Sequence, residues 1–226
     1  MAGSALPRIA VLASGRGSNL QAILDAVANG TLDAEVAGVF SDKPGCEALR
    51  RVPDASRWSR DASAYPDRAD FDADLADAVA ASHPDWIVCA GYLRILGEGF
   101  VARFAGRLLN IHPSLLPRHR GLRTHARAIE AGDAEHGASV HFVVPELDAG
   151  AVVAQAVVPV RAGESAGELA QRVLAREHPL LLATLRLAVA GRIEERDGRA
   201  WLDGHPLFKP LRLSSAGDFN EPTRQP

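Results

Sequence analysis

The chain has 226 residues, 47% of them hydrophobic and 23% charged, with a formal net charge of -3 at pH 7. That length suits one domain burying roughly three quarters of its unfolded surface, while the slightly acidic total excludes a broad basic footprint for nucleic acid. Two cysteines, Cys46 and Cys89, support neither a disulfide framework nor a zinc site. Without an apolar run of ~18 residues or a signal-like N-terminus, export and membrane spanning are not expected, which leaves the cytoplasm.

Arg8 to Ala13 reads as a short apolar strand, a loop with Gly15 and Gly17 follows, and Asn19 to Asn29 reads as a helix closed by Gly30. A second strand is expected at Glu35 to Ser41, whereas Lys43 to Asp67 mixes prolines and charges without a period. Then come a helix at Phe71 to Ser82, an apolar strand at Trp86 to Gly91 with Cys89 as a small core residue, a short helix at Gly99 to Phe104, and a strand at Arg107 to Ile111. Strands alternating with helices predict an α/β fold: a single-domain, open, mostly parallel twisted sheet with flanking helices.

A helix is expected at Thr124 to Gly132, and strands at Ala138 to Val144 and Ala151 to Val160 form an antiparallel extension through Asp148-Ala149-Gly150. Glu164 to Ala190 has a long helical period in which Pro179 predicts a kink or break. Arg192 to Asp203 reads as a hairpin turning at Asp197-Gly198. The domain is therefore expected over 8–204, with 1–7 and the proline-rich 205–226 as poorly ordered tails.

The chemistry concentrates in Asn110-Ile111-His112-Pro113-Ser114-Leu115-Leu116-Pro117 and in Glu146-Leu147-Asp148. On a strand, Asn110 and His112 point to one side. An amide there can donate to a developing oxyanion, and an imidazole can move a proton near neutral pH. A carboxylate such as Asp148 can orient that ring and favour its protonated form. Taken separately, His112 also suits a satisfied structural histidine and Asp148 a simple turn residue. Four more histidines, His119, His125, His136 and His141, lack closed metal-site spacing, so no metal is expected. His141 either faces the site or lines the core.

Ser14-Gly15-Arg16-Gly17-Ser18-Asn19 matches neither a Walker loop nor a dinucleotide fingerprint. A glycine loop entering a helix nevertheless presents free amides to an anion, with the Ser18 hydroxyl and Asn19 amide as added donors. The alternative is a capping turn with Ser18 as N-cap. Ser14 to Asn19, Tyr92 to Leu96 and Asn110 to His112 all fall just after strand ends, where open parallel sheets bind ligands.

From about Ile9 to Gly204 these motifs, with Ala90-Gly91-Tyr92-Leu93-Arg94-Ile95-Leu96, Glu135 to Val143 and Arg176-Glu177-His178, resemble the formyltransferase family that uses 10-formyltetrahydrofolate. The likeness is strongest to its purine-biosynthetic branch, which formylates the amine of 5′-phosphoribosylglycinamide. It implies Asn110, His112 and Asp148 as catalytic residues. It also implies Gly17, Ser18, Asn19, Leu174, Ala175, Arg176 and Glu177 as binding the phosphoribosylated substrate, with Glu177 at its ammonium or ribose side.

For the folate the resemblance implies Leu93, Arg94, Ile95 and Leu96 as one wall, Val144, Pro145, Glu146, Leu147 and Asp148 as the opposite wall, Asn110 as a further binding residue and Arg68 at the glutamate carboxylate. It further implies a strand within 43–67, a cis peptide before Pro117, and 10-formyltetrahydrofolate as co-substrate; a homodimer stays open. Relatives often have Asp-Gly-Gly where this chain has Asp148-Ala149-Gly150. The same three catalytic residues also serve formyltetrahydrofolate hydrolases, which deliver the group to water and usually carry an extra N-terminal domain. A noncatalytic nucleotide-phosphate sensor is the rival from another class.

Overall fold

A computed structural model describes residues 5–219. The chain divides into two compact units between Asn110 and Ile111, a point inside one strand.

The first unit contains β1 (Arg8–Leu12), α1 (Ser18–Ala28), β2 (Glu35–Ser41), β3 (Arg57–Ser59), α2 (Arg68–Ala81), β4 (Trp86–Cys89), α3 (Glu98–Arg103) and the start of β5 (Leu108–His112). Its strands lie in the order β3-β2-β1-β4-β5, all parallel. Ile9, Val11, Leu12, Ile87 and Val88 are wholly buried, as continuous apolar runs must be when both faces of a parallel sheet are covered. Helix α1 buries Leu20 and Ile23, and α2 buries Phe71, Leu75 and Val79, spacings that line one side of each helix. Helix α2 starts three residues earlier than its apolar pattern predicts, because the Asp67 side chain accepts from the Asp70 amide and caps a polar first turn.

The irregular stretch 43–67 folds into three short 3-10 turns and the edge strand β3. Trp58 of that strand packs between Phe40 and Phe71, with ring centroids 6.4 and 6.0 Å apart. Three residues are too few to show a period, so only the resemblance pointed to this strand.

The second unit contains the end of β5, α4 (Thr124–Glu130), β6 (Glu135–Phe142), β7 (Val152–Pro159), α5 (Ala166–Val189), β8 (Ile193–Arg196), β9 (Arg199–Leu202), β10 (His205–Pro206) and β11 (Leu211–Arg212). Here the order is β5-β6-β7-β11, with β6 and β7 antiparallel and β11 parallel to β7. Strands β8, β9 and β10 form a separate antiparallel sheet. The expected α/β class, mostly parallel with an antiparallel extension, is what the strands show.

Three local expectations change. Pro179 lies inside an unbroken α5, which opens with a capping box between Ser165 and Glu168. The missing hydrogen bond and the clash cost about 3 kcal/mol, and burial of Val173, Leu180 and Leu181 around it offsets this at about 1.5–3 kcal/mol each. Strand β6 begins at Glu135 instead of Ala138, because a Cβ on Gly137 would lie 1.9 Å from the Ala156 carbonyl: this glycine permits a close strand pair and does not end one. Within the expected C-terminal tail, Leu211–Arg212 adds a strand to β7 and buries Leu211. Residues 1–4 and 220–226 of the expected tails lie outside the described residues.

Candidate active site

Helix α1 begins at Ser18, preceded by Gly17 with φ 75 and ψ 34, and no side chain caps it. Ser18 is therefore the first helical residue and not the N-cap. A helix end left uncapped by side chains suits an anion. The loop is braced from behind: the Ala48 amide and the Cys46 thiol donate to the Gly15 carbonyl at 3.1 Å each, and Arg51 Nε donates to the Arg16 carbonyl at 2.9 Å. A Cβ on Gly17 would stand 2.7 Å from Ala48 Cβ, so packing already requires glycine there, whatever the loop binds.

Ser14 joins this loop to the one after β4. Its hydroxyl donates to Asp42 Oδ1 at 2.6 Å and accepts from the Leu93 amide at 3.0 Å. Beyond that anchor Leu93 and Ile95 are 63% and 49% exposed, an apolar wall open to solvent, whereas Leu96 is buried. The Arg94 guanidinium lies 5.0 Å from the Phe71 ring centroid. Arg68 Nε lies 3.4 Å from Asp72 Oδ2, which also accepts from the Gly97 amide at 2.8 Å.

In the second unit His112, Asp148 and His141 come together. His112 Nε2 lies 3.1 Å from the His119 carbonyl oxygen. A carbonyl only accepts, so Nε2 carries a hydrogen. Nδ1 lies 3.4 Å from Asp148 Oδ2, both side chains being 8% exposed. The same Oδ2 accepts from the Gly121 amide at 2.8 Å, while Oδ1 lies 3.6 Å from His141 Nε2.

His141 Nδ1 donates to the Phe142 carbonyl at 2.8 Å. Burial lowers its pKa to about 4, so this ring is neutral at pH 7. A bulge between Val140 and His141 shifts the register against β7 at this residue. Of the two sequence readings for His141 the structure supports both: it is buried, and it faces the Asp148 carboxylate.

The turn that carries Asp148 explains the Ala149 departure. Left-handed backbone falls on Asp148 itself, at φ 48, which aspartate tolerates. Ala149 is outside the positive-φ region. The position that demands glycine is Gly150, where a Cβ would lie 1.9 Å from the Phe142 carbonyl.

Asn110 is half-buried on β5 opposite Cys89 of β4, two residues before His112 and hence on the same side of the strand. Leu116–Pro117 is cis. Val144 is half-buried and Pro145, Glu146 and Leu147 are exposed, with Glu146 accepting from Arg120 Nη1 at 2.6 Å.

Leu174, Ala175, Arg176 and Glu177 occupy one turn of α5 and so point in different directions. Glu177 lies on the buried row with Val173 and Leu180. Arg176 Nη2 donates to the Leu213 and Ser214 carbonyls at 3.3 and 2.6 Å, which commits its guanidinium to the C-terminal segment.

Three further histidines meet neighbours locally: His119 Nε2 lies 2.7 Å from Asp133 Oδ2, and His136 Nε2 lies 3.1 Å from His125 Nδ1. Burial, followed by the charges of His125 and His119, lowers the His136 pKa from the usual 6.5 to about 4. His125 and His178 are lowered too, each first by burial. Between about pH 6.5 and 4 the unfolded chain binds a proton that the folded His136 ring refuses, so stability present above 6.5 is lost as pH falls through that window. Urea midpoints should drop over this range in the wild type and drop less steeply in His136→Gln; identical slopes would exclude His136 as a contributor.

Residues 7–185 match the family model described as formyl transferase. The phosphoribosylglycinamide formyltransferase of Escherichia coli (strain K12) is 46% identical over 201 residues, 88% of this chain and 95% of that protein. The Haemophilus influenzae protein of the same name is 42% identical over 209 residues, 90% of this chain and 97% of that one. The solved structure of phosphoribosylglycinamide formyltransferase from Coxiella burnetii, in complex with CHES, matches with a TM-score of 0.84 and 40% identity over 90% of this chain and 96% of that chain. With an Asn-x-His strand, an aspartate beside the histidine, and likeness spanning most of its length, the chain belongs to the formyl transferase family.

Proposed function

We propose that the protein transfers the formyl group of 10-formyltetrahydrofolate to the amine of 5′-phosphoribosylglycinamide, giving formylglycinamide ribonucleotide and tetrahydrofolate in purine biosynthesis. The observation that carries this reading is Asp148 Oδ2 at 3.4 Å from Nδ1 of His112, on a strand where Asn110 shares the His112 side. When the amine attacks the formyl carbon, charge develops on the formyl oxygen. The Asn110 amide and the protonated His112 ring stabilise that charge. As the bond from the formyl carbon to the folate nitrogen breaks, His112 relays the proton given up by the attacking amine to that leaving nitrogen. The His119 carbonyl holds Nε2, and the Asp148 carboxylate 3.4 Å from Nδ1 orients the ring by charge and leaves Nδ1 to exchange the proton.

In this reading Gly17, Ser18 and Asn19 receive the substrate phosphate at the start of α1, Glu177 meets its ammonium or ribose side, and Leu174 to Arg176 shape the surrounding turn. Leu93 to Leu96 and Val144 to Asp148 provide the folate walls, and Arg68 meets the glutamate carboxylate. The commitment of Arg176 to Leu213 and Ser214 gives that residue a supporting part.

A hydrolase built on the same three residues would need no amine. Held in place, the amine has a large advantage in effective concentration over unpositioned water. Tetrahydrofolate release is expected to fall to about 1% or less when phosphoribosylglycinamide is omitted. Stopped-flow or steady-state absorbance with and without acceptor measures this, and equal rates would replace the transferase reading with the hydrolase one.

A further inference from the structure

The residue whose carbonyl meets His112 is itself held by its own side chain. His119 has φ 54, left-handed backbone that disfavours a residue with a side chain. Its ring Nε2 lies 2.7 Å from Asp133 Oδ2, with side chains 13% and 16% exposed. Asp133 is anchored in turn, since its amide donates to the Ala128 carbonyl at the end of α4. His119 is thus bonded at two ends, by its carbonyl to His112 and by its ring to Asp133.

Other bonds hold the preceding segment without reaching the His119 carbonyl. Ser114 Oγ donates to the Arg118 carbonyl at 2.7 Å, and Ser139 Oγ accepts from the Leu116 amide at 3.0 Å. Arg118 also approaches Asp133, at 3.4 Å, but its side chain is 63% exposed and such a contact is weak. Asp133 is the largely buried group that the His119 ring hydrogen-bonds, and the buried His136 ring stands edge-on to it with centroids 6.0 Å apart.

We propose that His119, clamped by Asp133, is a positioning residue for formyl transfer. The clamp fixes the His119 carbonyl on Nε2 of His112, which sets the ring tautomer and keeps Nδ1 as the nitrogen that exchanges the proton. The inference rests on the role proposed for His112. A loosened clamp lets the carbonyl swing away and the ring turn, which slows the chemical step and leaves the substrate contacts alone.

The test compares kcat and both KM values for His119→Phe, His119→Gln, Asp133→Ala, Asp133→Asn, Arg118→Ala and His112→Ala, with thermal melts of each. His119→Phe and Asp133→Ala should lower kcat about tenfold with KM within about threefold, the double variant falling no further than either single one. Gln at 119 keeps a donor and Asn at 133 keeps an acceptor, so these should recover to within about threefold of wild type, and Arg118→Ala should be unchanged.

Wild-type kcat in His119→Phe, additive losses, or Gln and Asn variants as slow as Phe and Ala would overturn the proposal. If His119→Phe melts below the assay temperature, the Asp133→Ala and Asp133→Asn pair decides by the same criteria. An inactive His112→Ala beside a normal His119→Phe removes the clamp alone, whereas an active His112→Ala removes the underlying site reading.

Discussion

His112→Ala is expected to lower kcat by at least about a hundredfold while both substrates still bind with near-normal affinity. In the proposed mechanism His112 relays the proton, and the other imidazole beside Asp148 is no substitute: His141 is held neutral with its Nδ1 hydrogen on the Phe142 carbonyl. The Asp148 carboxylate stays bonded to the Gly121 amide, so the turn should survive. The vacated space is lined by that carboxylate and the His119 carbonyl, polar enough to take water. Loss should therefore appear in kcat, with unfolding midpoints shifted by about 1–3 kcal/mol at most. Single-turnover rates beside calorimetric titrations of each substrate make the measurement, and near-normal turnover would end the assignment of proton transfer to His112.

Gly150→Ala is expected to cost more than about 4 kcal/mol of stability, or to prevent recovery of soluble protein. Its Cβ would lie 1.9 Å from the Phe142 carbonyl and 2.8 Å from the Phe142 carbonyl carbon, backbone atoms that cannot rotate away. Relief requires the strand end beyond Phe142 to separate from the turn, breaking the bond from the Phe142 amide to the Ala151 carbonyl and displacing Asp148 two residues before. Activity should vanish with the fold. Ala149→Gly is the matched control: Ala149 is outside the left-handed region, so extra backbone freedom should cost only about 0.5–1 kcal/mol. Urea unfolding of both variants separates the cases, and a Gly150→Ala protein as stable as wild type would contradict the close approach.

What could be read from residue letters was what residue type and local spacing carry. The alternation of β1, α1, β2, α2 and β4 was legible because each element is long enough to show its period, whereas β3 has only Arg57–Ser59 and takes its stability from Trp58 against Phe40 and Phe71. Pro179 misled because packing on both sides of α5 outweighs one missing amide.

In the site, His112 and Asp148 were legible as a motif, and the structure brings them together. The His119 carbonyl and the Gly121 amide were not, since every residue offers a backbone carbonyl and nearly every one an amide. Only folding shows which of them meets His112 or Asp148. His141 needed the bulge in β6, and the demand for glycine at position 17 needed Ala48, distant in sequence. Nor could spacing show that His119 Nε2 meets Asp133 or that His136 Nε2 meets His125 Nδ1.

Loops at strand ends are commonly the freely varied parts of an enzyme, each open to redesign on its own. Ser14 removes that independence in the first unit. Its single hydrogen goes to Asp42 and its lone pair faces the Leu93 amide, so one hydroxyl is the rivet through the glycine loop after β1, the end of β2 and the apolar loop after β4. Alanine at this position would leave a buried carboxylate without its donor and Leu93 without its anchor in a single step. A change that moves the Leu93 amide is therefore felt at Ser14, at the head of the loop that leads into α1.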